Sequence, residues 1–438
     1  MKLAAINIAQ LFGRYNYVLN LTTNEDITII TGPNGYGKST IIRMVYQLYF
    51  GNFYPLFSTV FSEFTLSFID DNCQTTKLRI KKTVNPFPES LQTDLEDLEN
   101  IQLNISLNDS SGVHDIVLFK LNIEAAIEEA GYKTGENDVW WKHDTSEYLT
   151  SNEILKLHPR IMEKQFAGAE EILMFLGGLN ALMVADQRLF YSGFETAPFS
   201  KNRIHVNKSQ VIFDAEYLKN KIELLKTKFS VGFKASMMKA FSASAVPSAS
   251  QDSLNERIQT INSKIETLNQ FGIAESDQSI TTNYTPQTAS VLSNMLADYE
   301  KVVDDMLIEI NNIRQFDDLI KNSGFPDKTI SFDATNGFSF TSSDGTYIAP
   351  EWLSSGEQHK LILYFQLLFK ASPGMLVMID EPELSFHVIW QMSFLEELKQ
   401  IVRDKNLQLI VATHSPQIID GKWSLTADLY ELSQQHKR

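Results

Sequence analysis

Gly32-Pro-Asn-Gly-Tyr-Gly-Lys-Ser39 is the stretch on which the reading of this 438-residue chain turns. It fits the pattern of a phosphate-binding loop, and its context is right on both sides. Before it, Asp26-Ile-Thr-Ile-Ile30 is an apolar run that predicts a buried strand. After it, Ser39-Thr-Ile-Ile-Arg-Met-Val-Tyr-Gln-Leu48 predicts a helix with one apolar face. Glycines at 32, 35 and 37 allow backbone conformations closed to residues with a Cβ, so that successive N–H groups turn toward one anion. The helix start adds the positive end of its dipole. Asn34, Gly35, Tyr36, Gly37, Lys38, Ser39 and Thr40 are therefore the candidate ATP-binding residues. Lys38 is placed to reach the β- and γ-phosphates and the Ser39 hydroxyl to ligate Mg²⁺. The bland alternative, a glycine-rich turn before a helix, does not account for the preceding strand.

Three later segments complete a site for hydrolysis. Met375-Leu-Val-Met-Ile-Asp-Glu381 is an apolar strand ending in two acids, and ligands gather at strand ends in open α/β sheets. Asp380 is expected to hold Mg²⁺ and Glu381 to orient and deprotonate the attacking water. Leu353-Ser-Ser-Gly-Glu-Gln358 introduces a helix that Ser354 and Ser355 can cap. Its N–H groups and dipole suit a γ-phosphate, and Gly356 permits close approach. With one nucleotide already enclosed by the glycine loop, this second anion site is expected to serve another subunit, Ser354, Ser355, Gly356 and Glu357 acting in trans. Ala412-Thr-His-Ser-Pro416 follows an apolar run at 407–411, which puts His414 at another strand end within reach of the γ-phosphate or the water.

Composition narrows the class. A hydrophobic content of 43% over this length suffices for a large core in two or three structural units. The single cysteine, Cys73, excludes a disulfide framework and any zinc site built on paired cysteines. The beginning of the chain lacks a signal-peptide pattern and no apolar stretch approaches a membrane span, so a cytoplasmic protein with no membrane partner is expected. A formal net charge of −16 argues against a surface that coats DNA, though not against a local basic groove.

Residues 1–121 carry strand patterns at 2–8, 15–21, 64–68, 78–82, 101–107 and 116–119, and read as an N-terminal lobe with the phosphate loop. Residues 122–183 read as a helical insertion, with Trp140 and Trp141 as core or interface anchors. The segment 184–212 follows an apolar run at 179–185 and reads as a head strand with the loop that carries Gln187. From 213 to 323 the pattern is amphipathic helix, with seams at Leu218, Ile222, Leu225 and Phe229; at Leu254, Ile258, Ile261, Ile265 and Leu268; and at Leu292, Met295, Tyr299, Val302 and Met306. This predicts a short antiparallel helical arm or, alternatively, an ordinary helical subdomain. Residues 324–438 return to strands at 329–332, 338–341, 375–379, 407–411 and 428–432, with helices at 356–370 and 388–401. The expected fold is α/β, a discontinuous head whose N- and C-terminal segments fold together around an inserted helical middle.

These residues resemble the ABC-type ATPases of the SMC and double-strand-break-repair class, and more closely the OLD-like ATPases of bacterial anti-phage systems. The resemblance runs in order through Gly32–Ser39, the serine variant of a Leu-Ser-Gly-Gly-Glu signature at 353–357, the acidic strand at 375–381, and the switch histidine His414. It implies an ABC-type head with a mixed or parallel core sheet, an antiparallel N-terminal sheet and a coiled-coil insertion. It also implies a head-to-head homodimer, or a higher even oligomer, sandwiching two ATPs with Mg²⁺. Glu383-Leu-Ser-Phe-His387 falls where that class has its D-loop, with Ser385 and His387 as its candidates, and Gln187 in Asp186-Gln-Arg188 is the candidate metal-contacting glutamine of the Q-loop. The long gap between Ser39 and Leu353 exceeds that of transporter ATPase domains. The chain ends at Arg438, soon after His414, without room for the C-terminal nuclease of full-length OLD proteins. The resemblance is thus to ATPases whose effector nuclease is separately encoded, either the PtuA type of Septu systems, paired with an HNH nuclease, or the AriA type of PARIS systems, paired with a Toprim-type nuclease. An anti-phage sensor that answers a phage trigger is the leading expectation. A DNA-repair ATPase clamping a duplex, with Lys201, Arg203, Lys208 and Lys219 as a local basic face, is the second. A scaffold that binds ATP without turning it over is the third.

Overall fold

The structure is a computed structural model that describes residues 1–435 apart from 22–24, 86–99, 135–138, 143–146, 151–153, 156, 186–188, 197–202, 241–249, 276–277, 281–284, 286–288, 323–324, 326 and 385. The chain divides into two compact units. One comprises Met1–Asp186, Ala371–Leu384 and Gln391–Arg438; the other comprises Gln187–Lys370 and Ser385–Trp390. Residues 324–370, including the serine-rich helix start, thus cluster with the helical middle rather than with the C-terminal strands.

The first unit is built on two sheets. Five parallel strands lie in the order Ala181–Val184, Leu376–Asp380, Gln408–Ala412, Ile27–Thr31 and Thr426–Asp428. The three central ones are buried along their whole length, which is why they read as continuous apolar runs rather than alternating ones. The strand before the glycine loop is inserted between two segments from the far end of the sequence, so the head is discontinuous. The second sheet is antiparallel, in the order Tyr15–Asn20, Lys2–Leu11, Glu63–Ile69, Thr75–Asn85, Asn100–Asp109 and Gly112–Phe119. Its alternation is plain in Glu63–Ile69, where Phe64, Leu66 and Phe68 are buried. The helix Lys38–Tyr49 buries Ile41, Ile42, Met44, Val45 and Leu48, packs on the parallel strands, and meets Phe68 of the other sheet through Tyr49. Leu3 and Gln408 exchange a buried pair of hydrogen bonds, backbone N–H to Oε1 at 3.0 Å and Nε2 to carbonyl at 2.6 Å.

Two expectations for this unit need correction. Residues 122–183 are not wholly helical: after the helix Lys120–Glu129 comes a three-stranded antiparallel sheet of Lys133–Thr134, Val139–Lys142 and Glu147–Thr150. Val139-Trp-Trp-Lys142 carries β-branched and aromatic residues that fit a pleated surface, with Trp140 buried and Trp141 half-buried. The last expected strand, 428–432, is a strand only at Thr426–Asp428 and turns into the helix Leu429–Gln435. Asp428 causes the change, its Oδ1 accepting the backbone N–H groups of Tyr430 and Glu431 at 2.7 and 3.1 Å.

The second unit holds the helices Gln210–Ala240, Gln251–Gln270, Ala289–Glu309 and Asn311–Asn322. The expected seams of the first two are buried. In the third, the buried row is Leu292, Leu296, Tyr299, Val303 and Met306, one step round from the expected one, leaving Met295 and Val302 half-buried. Val302 instead faces Gly232, where an added Cβ would lie 2.7 Å from it. The helices are not all antiparallel. Lys228 pairs with Glu309 while the Phe233 ring packs tilted against Tyr299, so the first and third run in opposite senses. Arg257 pairs with Glu300 and Lys264 with Asp304, so the second and third run in the same sense. The connection after Gln270 doubles back along its own helix, Asn262 bonding both the N–H and the carbonyl of Ile280.

At the foot of these helices the antiparallel strands Lys328–Asp333, Gly337–Ser342 and Tyr347–Ile348 pack on Gln210–Ala240. Gly337 has φ +74° and any Cβ there would collide with the Ala215 carbonyl, so only glycine fits this turn. Phe316 sits among Phe332, Phe338, Phe365 and Phe369 at ring distances of 5.9–6.3 Å. The serine-rich stretch opens the helix Ser355–Phe365, which widens into a π-turn over Gln366–Lys370.

Asp214 is fully buried here, and among the described residues its Oδ2 has no hydrogen-bond partner, while Oδ1 accepts from Gln210 at 2.8 Å. Burial pushes its carboxyl up to about 7, against the pull of Gln210 and Lys370. Between about pH 4 and 7 the folded chain keeps a proton that the unfolded chain releases, so this group's contribution to stability is lost as pH rises through that window. Asp214→Asn is expected to unfold later than wild type at pH 8, by on the order of 2–4 kcal/mol, with the gap closing near pH 4. Urea unfolding at the two pH values measures it; an Asn variant less stable at pH 8 would mean the carboxylate is charged and well paired.

Candidate functional site

The glycine loop runs from the end of one parallel strand to the helix Lys38–Tyr49. Gly32, Gly35 and Gly37 have φ of +138°, +83° and +96°, values that place three peptide planes where a side-chain-bearing residue would be strained. Gly37 has a second reason to be glycine, since a Cβ would lie 2.7 Å from Leu11 Cδ2. Lys38, Ser39 and Thr40 form the first turn of the helix, whose amides have no acceptor within the helix itself. Asn34 and Gly35 are exposed at the crest of the loop. Tyr36 anchors it: its ring stacks on Tyr15 at 5.0 Å and its carbonyl accepts the Tyr17 hydroxyl at 2.9 Å.

The acids expected from the strand end are beside this loop. Ser39 Oγ donates to Asp380 Oδ1 at 2.8 Å, and Asp380 is buried. A hydroxyl and a carboxylate so placed are hard oxygen donors that fit a small divalent cation. The Lys38 ammonium, only 5% exposed, donates to the Gly32 carbonyl at 3.0 Å and lies 3.5 Å from Glu381 Oε1. Glu381 itself has φ +45°, a left-handed conformation uncommon outside glycine, held by its N–H donating to the Ala412 carbonyl at 2.9 Å. His414 lies at the next strand end with Nδ1 2.6 Å from Glu381 Oε2. Burial, followed by the neighbouring Glu383, raises the Glu381 pKa above the ordinary glutamate value, while His414 and Lys38 oppose the rise.

One residue of this cluster enters the sequence reading only as the first of the segment 383–387, with no role of its own. Glu383 is buried, and its Oε1 accepts the Thr413 hydroxyl at 2.6 Å and the His414 N–H at 2.8 Å, with His414 Nδ1 3.0 Å away. Its signal was available as a second acid two places after Glu381, where the eye stops at the Asp-Glu pair. Glu381, Glu383 and His414 bring three ligand-type atoms within 4.8 Å of one another. The ammonium of Lys38 beside Glu381 already supplies positive charge there.

The serine-rich segment belongs to the other unit. Ser354 caps its helix in a full capping box: its N–H donates to Glu357 Oε2 at 2.9 Å and its Oγ accepts the Glu357 N–H. Glu357 is buried and also pairs with Lys328. Burial works to raise the Glu357 pKa, but Lys328 and Ser354 outweigh it and keep it below the ordinary glutamate value. The side chain of Glu357 is thus engaged within its own unit; Ser354 and Ser355 are exposed and Gly356 is buried. His387 is exposed, its Nδ1 accepting the Ile389 N–H at 3.4 Å. Gln187 and Ser385 lie outside the described residues, as does Lys201.

A glycine loop opening a helix, with a buried lysine and a serine–aspartate pair at adjacent parallel strand ends, defines a phosphate-loop ATPase of α/β fold. The chain matches the AAA ATPase domain family over residues 1–419 and belongs to it, and it hydrolyses ATP. Among solved structures it is similar to the Smc head domain with an extended coiled coil from Pyrococcus furiosus, solved bound to the C-terminal domain of ScpA: 11% identity, 95% of this chain and 90% of that one covered, TM-score 0.37. The SMC head domain from Thermotoga maritima gives 11% identity, coverage of 96% and 92%, and a TM-score of 0.35. The recombination mediator RecF, solved with a nucleotide analogue, gives 9%, coverage of 95% and 94%, and 0.29. No curated protein sequence matches this chain. Among the described residues, no helix is long and apolar enough to cross a membrane.

Proposed function

We propose that this ATPase is of the ABC type, related to SMC and OLD-like proteins, and works as a pair of copies that share two nucleotides. In this reading the glycine loop of one copy and the Ser354–Ser355–Gly356 helix start of the other enclose each ATP. Ser39 and Asp380 would hold Mg²⁺, which would neutralise phosphate charge when bound. Lys38 would leave Glu381 and the Gly32 carbonyl for the phosphates, Glu381 would take the proton of the attacking water, and His414 would steady Glu381 or meet the γ-phosphate. The observation that carries this reading is the exposed pair Ser354 and Ser355 on a capped helix start whose one acid, Glu357, is turned inward. Such an end offers backbone N–H groups and the Ser355 hydroxyl to a phosphate, while the Ser354 hydroxyl donates to the inward-turned Glu357 at 2.8 Å.

Ser354→Arg tests the shared site. Losing the cap removes about 1 kcal/mol, which leaves the unit folded, while the long cation blocks the approach of a second copy. The variant is expected to bind ATP as a single head yet to lose ATP-dependent association in analytical ultracentrifugation. Association as in wild type would sink the shared site.

We propose further that the pair is the sensor or regulatory part of an anti-phage system and holds a separately encoded nuclease until a phage trigger arrives. The ordered motifs support this through their resemblance to OLD-like ATPases. Co-purification with the product of the adjacent gene tests it. A DNA-clamping ATPase is the competing reading, and hydrolysis stimulated by duplex DNA with steep salt dependence would favour it over the sensor.

A further inference from the structure

Glu383 occupies a position for which the reaction so far has no use, and its surroundings are specific. It follows Glu381 by two residues and is 7% exposed. One carboxylate oxygen, Oε1, gathers the Thr413 hydroxyl at 2.6 Å, the His414 N–H at 2.8 Å and the neighbourhood of His414 Nδ1 at 3.0 Å. Thr413 Oγ1 in turn accepts the N–H of Ser415 at 3.0 Å, so the network that starts at Glu383 runs through the turn at 413–415, whose Thr413 N–H also donates to the Ile30 carbonyl at 3.1 Å. The other oxygen, Oε2, is buried and has no hydrogen-bond partner among the described residues. A buried carboxylate with an idle oxygen is unfavourable for folding and asks for a functional reason.

Geometry supplies one. His414 is half exposed, so where its backbone places the ring decides which groups it reaches, and its Nδ1 sits 2.6 Å from Glu381 Oε2. Glu381 and His414 end different strands, and no backbone pairing ties the turn at 413–415 to the residues after Asp380 except through Glu381 N–H and Ala412 among the described residues. Glu383 ties the turn at Thr413 and His414, as Gln391 does at Ser415, whose Oγ donates to Gln391 Oε1 at 2.7 Å. We propose that Glu383 is a positioning residue for hydrolysis, a clamp that fixes the turn carrying His414 so that the imidazole is held on Glu381. The proposal rests on the roles given above to Glu381 and His414.

The test uses the full chain and ATP with steady-state phosphate release. Glu383→Ala is expected to lower kcat on the order of 10- to 100-fold, as a loosened catalytic geometry does, with KM for ATP little changed. Glu383→Gln keeps an acceptor oxygen for Thr413 and the His414 N–H and is expected to recover most of that loss. In a His414→Ala background the same Glu383→Ala change is expected to add nothing, because the clamp acts through the ring. A further loss in that background would mean that Glu383 acts by another route and would overturn the proposal, as would wild-type kcat in Glu383→Ala or a raised KM alone. Should Glu383→Ala not fold, Thr413→Val, which removes one of the clamped donors, takes its place in the same cycle, with a smaller loss expected and again none on His414→Ala. Glu381→Gln separates the two failures. If that variant turns over normally, the assignment of the base is wrong; if it is dead while Glu383→Ala is normal, the clamp alone is wrong.

Discussion

Glu381→Gln is expected to stop turnover, by on the order of 10²–10⁴-fold, while leaving ATP bound. The substitution is nearly isosteric, so the left-handed backbone at Glu381 and its N–H bond to Ala412 are retained. What disappears is the capacity to accept a proton. The amide also no longer attracts the Lys38 ammonium 3.5 Å away, which releases that lysine to the phosphates and favours tight nucleotide binding. With hydrolysis blocked and binding intact, ATP-dependent association accumulates. Phosphate release, together with sedimentation in ATP, measures both effects, and unchanged phosphate release would place the base elsewhere. Wild type carries a related mark. Because burial and Glu383 raise the Glu381 pKa, the carboxylate proposed as base is expected to be lost on acidification at a higher pH than for a free glutamate, with kcat falling accordingly.

Lys38→Ala is the second large effect. Lys38, 5% exposed and donating to the Gly32 carbonyl, is the ammonium proposed to meet the phosphates. A hydrogen bond to a charged group contributes about 1.5–3 kcal/mol, so its loss weakens ATP binding about 10- to 100-fold. Amides from the loop and helix start remain, which is why binding weakens rather than vanishes. Turnover suffers more, on the order of 10²–10³-fold beyond the binding defect, because charge grows on the transferred group as the bond breaks. Equilibrium binding of a fluorescent ATP analogue and single-turnover hydrolysis separate the two. Equal losses in both would show that Lys38 binds without aiding the chemistry.

The parts of this molecule legible in the sequence are those where a local pattern and its tertiary setting agree. The buried strands Ile27–Thr31, Leu376–Asp380 and Gln408–Ala412 are apolar throughout because both faces are covered. The loop and its lysine, the Ser39–Asp380 pair and the His414–Glu381 contact join residues whose positions at strand ends could be read one at a time. The failures have physical causes of a different kind. Trp140 and Trp141 carry no helical or strand periodicity over so short a segment, and a neighbouring strand decided the outcome. The helix Ala289–Glu309 packs against two others, so its buried row shifted by one residue from the seam that a single partner would select. Asp428 ended a strand through side-chain bonds that apolar patterning does not register. Glu383 was missed because its partners, Thr413 and His414, are remote in sequence.

The order of the parallel sheet sets a schedule for biosynthesis. Ile27–Thr31 leaves the ribosome long before either of its flanking partners, Gln408–Ala412 and Thr426–Asp428, which lie far downstream in the chain. Until they emerge, that strand lacks lateral hydrogen bonds, and the loop it supports has no rigid base from which to capture a nucleotide. A nascent chain is thus expected to leave this loop without its base, and its apolar strand unpaired, until both partner strands have been made.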